Sequence, residues 1–190
     1  MQSTVFLDRD DTLIHNRDLP APADPPMGWR PGDLYDPDRV TLMPGALEAC
    51  RELRSAGFAL VIVTNQGCVA RGSATTDQVE AVNARVLKLL TAESGEPLIA
   101  AAYYVPFHPM GSVPAYTREH PWRKPQPGML LAAAEEHGLD LPSSWMIGDA
   151  ARDVEAGINA GLPAGQCLRC GPEGDHETVL DAARAVLAAQ

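Results

Sequence analysis

The sequence predicts an α/β fold built on a parallel sheet, and two observations carry that prediction. Apolar runs of strand length alternate with segments of helical length along the 190 residues, as in parallel strands joined by helical crossovers. Polar side chains follow the apolar runs, at the positions where open parallel sheets bind their ligands. The length suits one domain, so we expect a single domain over residues 1–190.

Five short apolar runs are the predicted strands. Each is bounded by turn-forming or polar residues, which is typical of buried strands. In chain order they are Thr4–Leu7, Ala59–Val63, Ile99–Val105, Trp145–Ile147 and Pro163–Leu168.

Five further segments are the predicted helices. Pro44-Gly45 precedes the first and Gly57 follows it, which is common punctuation at helix ends. Thr75-Thr76-Asp77 offers capping side chains for the second. The segments are Ala46–Ala56, Thr76–Glu93, Gly128–His137, Ala151–Ala160 and Glu177–Ala189.

Two long segments, residues 15–43 and 106–126, interrupt the alternation and are rich in proline. Loops of this length inside a compact domain are usually either functional or disordered. Both follow predicted strands at the binding edge. We therefore expect them to form small caps that shape a substrate pocket.

Composition excludes several classes of function. A formal net charge of −10 argues against nonspecific binding to nucleic acid or anionic membranes, which needs clustered Lys and Arg. No apolar run approaches the roughly 20 residues that span a bilayer, and the N-terminus lacks the pattern of a secretory signal. The four cysteines are irregularly spaced, which indicates reduced thiols rather than a disulfide framework. We expect a cytoplasmic protein, and since nothing requires an assembly, a monomer.

The first predicted strand runs directly into Asp8-Arg9-Asp10. Residues two apart in a strand point to one face, so Asp8 and Asp10 start as neighbours. Crowded carboxylates repel one another unless a cation lies between them, and oxygen ligands of this kind suit Mg²⁺. Taken alone, the segment is equally compatible with an acidic surface turn.

The later strand ends carry donors and cations. Thr64 and Asn65 follow the second run and can donate hydrogen bonds to a phosphate, although both are also ordinary turn formers. Arg123 and Lys124 precede a predicted helix, and prolines on either side of this turn restrict their positions. A lysine can neutralise a phosphoryl group as a point charge, while an arginine forms forked contacts with a second anion.

Asp149 and Asp153 follow the fourth run, one helical turn apart. Helix capping explains one aspartate at such a helix start. Capping does not explain why successive strand ends present Asp, Thr, Lys and Asp. Each part is a weak signal, and the ordered set is a strong one.

This ordered set resembles the haloacid dehalogenase superfamily of Asp-nucleophile phosphatases over nearly the whole chain. The matching pieces are Asp8-Arg9-Asp10, Thr64, Lys124 and Gly148-Asp149 with Asp153. Within that superfamily, the chain looks like the heptose bisphosphate and histidinol phosphatase branch, and Ala70-Arg71-Gly72 favours the heptose side. The branch-specific pieces are Val61 to Gln66, Ala70-Arg71-Gly72 and Arg123 to Leu130.

The resemblance implies a three-layer Rossmann-like fold with strand order 5-4-1-2-3, helices on both faces and only small loop caps. It implies Mg²⁺-dependent hydrolysis of a small sugar phosphate, most simply a heptose bisphosphate, in carbohydrate metabolism. A heptose bisphosphate carries a second phosphate that needs its own site. The candidates for binding it are Arg30, Arg39, Arg71 and Arg123.

The resemblance also implies roles for the site residues. Asp8 is the nucleophile that forms an aspartyl phosphate, and Asp10 acts as general acid and then general base. Asp8, the Asp10 main-chain carbonyl and Asp149 hold Mg²⁺, while Asp153 orients Lys124 or a metal-bound water. Binding of the equatorial phosphate oxygens falls to Thr64, Asn65 and Lys124.

The chain departs from the family pattern at three places. Asp11 stands where members usually have Gly, and Asp tolerates left-handed backbone geometry better than most residues. Gly67-Cys68 replaces the Ser-Gly pair that is more usual in the family. Because nothing nearby in the sequence suggests a base for the thiol, we expect Cys68 to pack in the fold rather than to act as a nucleophile. Many heptose-type members bind a structural zinc in the second loop. The matching positions here are Val105, Phe107, His120 and Trp122, and because His120 alone can ligate metal, we expect no zinc.

Two alternatives remain open at this point. One keeps the chemistry but changes the substrate to histidinol phosphate, or to a nucleic-acid 3′-phosphate, which the negative charge disfavours. The other is a catalytically inactive binding protein on the same fold, since fold does not determine function. Measuring hydrolysis with and without Mg²⁺ separates these classes.

Overall fold

The structure is a computed structural model that describes residues 2–189. Within that range, the chain forms an α/β fold around a sheet whose neighbouring strands are all parallel. The strands are β1 (Thr4–Leu7), β2 (Ala59–Asn65), β3 (Ala101–Val105), β4 (Trp145–Gly148) and β5 (Cys167–Arg169). Their order is β3-β2-β1-β4-β5, which confirms the expected order 5-4-1-2-3 read from the other edge.

The predicted helices are present, with ends shifted by at most a few residues. A further short helix, Cys68–Arg71, was not predicted because four residues are too few to show a helical period. The helices are α1 (Ala46–Ser55), α2 (Cys68–Arg71), α3 (Thr76–Leu89), α4 (Gly128–His137), α5 (Ala151–Asn159) and α6 (Val179–Ala188). Among residues 2–189, no helix has the length and apolar character needed to cross a membrane.

Side chains of the central strands alternate between two hydrophobic cores, which makes the fold three-layered. Val5 and Leu7 of β1 point into the core covered by α1, α3 and α6, whereas Phe6 points into the core covered by α4 and α5. The same period of two places Leu60 and Val61 of β2 on opposite faces. Burial on both faces explains why these strands read as continuous apolar runs.

Both long loops dock on α2 at the carboxyl edge of the sheet. The backbone N–H groups of Ser112 and Val113 donate to the Ala70 carbonyl at 2.8 and 2.9 Å. From the other loop, the Asp33 carboxylate pairs with Arg71. The short helix that sequence periodicity missed therefore contacts both residues 15–43 and residues 106–126.

Candidate active site

Three aspartates from separate segments converge at the carboxyl edge. Asp8 follows β1, Asp149 follows β4, and Asp153 lies in the first turn of α5. One carboxylate oxygen from each lies within 4.8 Å of the others, and all three residues are buried. Gly148 permits the approach, because a Cβ there would lie 2.4 Å from the Asp153 Cβ.

Lys124 joins this acidic group from the loop before α4. Its fully buried ammonium lies 2.5 Å from Asp8 Oδ1 and 2.7 Å from Asp153 Oδ1, and it donates to the Val63 carbonyl at 2.7 Å. Burial opposes its charge, but Asp153 and Asp8 hold the pKa of Lys124 above its ordinary value. Burial raises the pKa of Asp8 to about 7 against the opposing effect of Lys124. Lys124 and the carboxylates around it thus form a compact buried network.

Asn65 fixes the backbone of Lys124. Its amide nitrogen donates to the Lys124 carbonyl at 3.0 Å, and its amide oxygen accepts from the Lys124 backbone N–H at 3.0 Å. Both polar atoms of the Asn65 side chain are therefore engaged in positioning the lysine. The role of Asn65 as a phosphate ligand stays a prediction.

The Asp10 carboxylate belongs to a different network from Asp8. It accepts from the Arg9 guanidinium at 2.9 and 3.2 Å and from Gln66 Nε2 at 2.7 Å. Gln66 Nε2 also lies 3.0 Å from Oγ1 of Thr64, a buried residue. Arg9 is itself fully buried and donates to Asn83 at 2.6 Å. Sequence reasoning missed Arg9 and Gln66 because their roles depend on contacts distant along the chain.

Two oxygens in the acidic group are suited to a divalent cation. Asp8 Oδ2 and Asp149 Oδ1 are buried and have no hydrogen-bond partner within residues 2–189. Such orphaned acceptors are costly in a protein interior, and Mg²⁺ prefers hard oxygen ligands of this kind. Burial raises the pKa of Asp149, with Asp153 acting in the same direction. The donor set therefore fits Mg²⁺, and the assignment of Asp8 and Asp149 as its side-chain ligands stays a prediction.

Asp11 adopts the left-handed geometry expected of the residue that replaces the usual Gly. Its φ of 59° is the one positive value of a non-glycine residue in the part of the chain that the structure describes. Its Oδ1 accepts from the backbone N–H groups of Asn16 and Arg17 at 3.1 and 2.9 Å. Arg17 in turn donates to Asp149 Oδ2 at 2.8 Å. The Asp11 carboxylate thus ties the first loop to the acidic group.

A cavity of about 280 Å³ opens beside Asp10 and Asp11. Four arginines line it: Arg17, Arg71, Arg123 and Arg152. Burial together with neighbouring Arg152 and Arg71 lowers the pKa of Arg123, as expected where like charges face one another. Aspartates line the cavity as well, and the four arginines, here called the cationic rim, suit a substrate with more than one anionic group.

The arginines expected from the sequence divide into two groups. Arg71 and Arg123 line this cavity, whereas Arg30 lines a neighbouring one of about 250 Å³ and Arg39 donates to the Pro20 carbonyl within the first loop. Arg17 and Arg152 were not singled out from the sequence. For Arg152, the available signal was its place three residues after Asp149 on the helix that carries Asp153.

Three of the four positions compared above with the family's zinc pattern, Phe107, His120 and Trp122, form an aromatic cluster. The rings of Phe107 and His120 stack with centroids 4.6 Å apart, and Trp122 lies edge-on to His120 at 6.0 Å. Arg118 lies 3.9 Å over the Phe107 ring. His120 is thus surrounded by rings and a guanidinium. The expected absence of zinc stays a prediction.

Cys68 is buried in α2, and burial raises the pKa of its thiol to about 12. A protonated, buried thiol is a poor nucleophile. This agrees with its expected packing role.

Comparisons with known proteins agree with this fold and site. Residues 121–168, which include Lys124, Asp149 and Asp153, match a family model described as HAD-hydrolase-like. The chain is 36% identical over 167 residues to the D-glycero-β-D-manno-heptose-1,7-bisphosphate 7-phosphatase of Yersinia pestis, covering 88% of this chain and 80% of that one. It is 38% identical over 163 residues to the Mesorhizobium japonicum protein of the same name, covering 85% and 67%.

Two crystal structures are similar over the whole fold. A Mesorhizobium loti protein assigned as a HAD-like phosphatase has a TM-score of 0.80 and 32% identity, covering 99% of this chain and 85% of that one. D,D-heptose 1,7-bisphosphate phosphatase from B. bronchiseptica, in complex with magnesium and phosphate, has a TM-score of 0.76, with full coverage of both chains. At 24% identity, the second supports the fold alone.

The sheet order and the convergence of three aspartates with a lysine define a hydrolase of the HAD-like class. Relatives that are at least 30% identical and align over most of both chains identify the family within this class of hydrolases. The chain belongs to the family of the D-glycero-β-D-manno-heptose-1,7-bisphosphate 7-phosphatases.

Proposed function

We propose that this chain is a Mg²⁺-dependent phosphatase that hydrolyses one phosphomonoester of a small sugar bisphosphate, most simply a heptose 1,7-bisphosphate. One observation carries the proposal: the Lys124 ammonium contacts both Asp8 and Asp153 beside the orphaned oxygen of Asp149. Family membership supplies the reaction class and the substrate type.

Asp8 is the proposed nucleophile. Its backbone N–H donates to the Ile147 carbonyl at 2.9 Å, and Lys124 holds its Oδ1, so the carboxylate is oriented before substrate arrives. Attack forms a bond from carboxylate oxygen to phosphorus while the bond from phosphorus to the sugar oxygen breaks. The aspartyl phosphate then transfers its phosphoryl group to water, which divides one difficult displacement into two.

Asp10 is the proposed proton carrier in both halves of the reaction. It lines the cavity, and its contacts with Arg9 and Gln66 restrict its carboxyl group to one orientation. It gives a proton to the departing sugar oxygen, and then takes one from the attacking water. Thr64 is proposed to donate to an equatorial oxygen of the phosphoryl group, while Lys124, whose three donors already contact Asp8, Asp153 and the Val63 carbonyl, stabilises these oxygens through its charge.

Asp8, Asp149 and the Asp10 main-chain carbonyl are the proposed Mg²⁺ ligands. When bound, the metal offsets the repulsion between the Asp8 carboxylate and the phosphate. Asp153 contributes indirectly, because one oxygen holds Lys124 and the other accepts from the Ala150 backbone N–H at 3.0 Å.

The cationic rim favours a bisphosphate over histidinol phosphate. Arg71 and Arg123 line the cavity, where a second phosphate would form charge-assisted hydrogen bonds with them. Histidinol instead carries a protonated amine at neutral pH, which this rim would repel. That the enzyme acts as a cytoplasmic monomer, without structural zinc and without nucleic-acid or membrane partners, stays a prediction from the sequence.

Hydrolysis of p-nitrophenyl phosphate, assayed with Mg²⁺ and with chelator, tests the reaction class. We expect turnover only with the metal, and no turnover by Asp8→Asn. A panel containing heptose 1,7-bisphosphate, histidinol phosphate and a 3′-phosphorylated oligonucleotide then tests the substrate. We expect the highest kcat/KM for heptose 1,7-bisphosphate. A higher kcat/KM for another compound in the panel would overturn the substrate assignment.

A further inference from the structure

We infer that Asp33, in the first long loop, is a positioning residue that holds Arg71 to receive the second anionic group of the substrate. The inference rests on the proposed function, because it concerns the same cavity. Asp33 is 7% exposed, and a buried carboxylate in an irregular loop needs specific partners to compensate its charge.

The Asp33 carboxylate is bound through both oxygens. Oδ1 pairs with Arg71 NH2, while Oδ2 accepts from Ser73 Oγ at 2.7 Å and from the Arg30 backbone N–H at 3.0 Å. One carboxylate therefore joins the first loop to the end of α2 and to the turn after it. This arrangement fixes the direction in which the Arg71 side chain points.

The other side of Arg71 faces a second guanidinium. A Cβ built on Gly67 would lie 3.1 Å from Arg71 NH1 and 3.5 Å from Arg123 NH1, so the two groups converge over this glycine. Like charges brought together in this way repel one another, and Arg71 contributes to the lowered pKa of Arg123. Asp33 lines the same cavity and compensates the charge of Arg71 through NH2, whereas NH1 of Arg71 converges with Arg123 and can meet an anion there.

Arg71 also retains an unused donor. Its Nε is buried and has no hydrogen-bond partner among residues 2–189. Arg71 lines both the cavity beside Asp10 and the neighbouring cavity with Trp29 and Arg30. A group with several acceptor oxygens, such as a phosphate, can accept from Arg71 and Arg123 together. A phosphomonoester without a second anion has nothing to place there.

Steady-state kinetics of Asp33→Asn test this inference on two substrates, heptose 1,7-bisphosphate and p-nitrophenyl phosphate. The variant keeps the size of the side chain and loses its charge. We expect KM for the bisphosphate to rise about tenfold, the cost of weakening charge-assisted hydrogen bonds. Its kcat, and both constants for p-nitrophenyl phosphate, should stay within about twofold of wild type. Ser73→Ala, which removes only a neutral donor to Asp33, is the matched control and should change KM less.

A double-mutant cycle with Arg71→Ala distinguishes positioning from an independent effect. If Asp33 acts through Arg71, adding Asp33→Asn to Arg71→Ala should raise KM no further. Additive effects, or equal losses on both substrates, would overturn the inference and leave the proposed function standing. If Asp33→Asn does not fold, Asp33→Glu tests the same contact, because it keeps the charge but displaces the carboxylate from Arg71, and it should raise KM for the bisphosphate. Wild-type protein inactive on both substrates would instead contradict the proposed function.

Discussion

The Lys124 ammonium lies 2.5 Å from Asp8 Oδ1, although 116 residues separate the two along the chain. Both groups are buried, and the same ammonium also contacts Asp153. Each carboxylate depends on the lysine to compensate its charge in a poorly solvated site. This dependence makes Lys124 important for stability, in addition to its proposed catalytic role.

Lys124→Met should destabilise the metal-free protein by about 3–5 kcal/mol, because it leaves two buried carboxylates without their cation. Urea unfolding in the presence of chelator measures this free energy. Mg²⁺ should restore part of the stability, since the acidic group then regains a cation, but turnover should stay lost. Lys88→Met, at an exposed position on α3, is the control and should shift stability by about 0.5 kcal/mol or less. A Lys124→Met protein as stable as wild type would show that the three groups do not form this network.

Asp149→Asn should weaken Mg²⁺ binding by at least about tenfold, because it removes the charge of a proposed ligand whose Oδ1 has no partner among residues 2–189. Isothermal titration calorimetry with Mg²⁺ alone measures this without reference to activity. Asp175→Asn, at an exposed position distant from the acidic group in sequence, should bind the metal as wild type does. Equal affinities for the two variants would remove Asp149 from the metal site.

Phe107→Ala should lower the free energy of unfolding by roughly 2 kcal/mol, because it removes the stacked partner of His120 and the ring beneath Arg118. Chemical denaturation measures the loss, and Leu131→Ala, a half-exposed apolar position on α4, should cost about 1 kcal/mol or less. Dialysis against a chelator followed by return of Mg²⁺ alone should leave the thermal midpoint of wild type unchanged, because the proposed Mg²⁺ site is then refilled while any zinc stays absent. A large drop that remains after Mg²⁺ is returned, with stoichiometric zinc by elemental analysis, would mean that a metal stabilises this loop.

Much of the site could be predicted because the chemistry follows the strands. Residues after β1 and β4 must meet at the carboxyl edge of a parallel sheet, so Asp8 and Asp149 converge whatever the loops do. Lys124 was identifiable because prolines restrict its turn. Its contact with Asp8 confirms that the amine faces the first strand's end.

The remaining features depend on loop conformation, which leaves no periodic signal in the sequence. Asp33 and Arg17 lie in a proline-rich segment, and their partners Arg71 and Asp149 are distant along the chain. Asn65 was expected at phosphate, and its hydrogen bonds to Lys124 depend on how the second loop returns to β2. The four-residue helix α2 was too short to recognise, although both loops dock on it.

The nucleophile can be tested directly by trapping it. We propose rapid acid quench during turnover of p-nitrophenyl phosphate, followed by mass spectrometry of the proteolytic peptides. The account predicts one phosphoryl group on the Asp8 carboxylate, removed by hydroxylamine and absent from Asp8→Asn. A phosphoryl group on another residue such as Cys68, or wild-type turnover by Asp8→Asn, would contradict it.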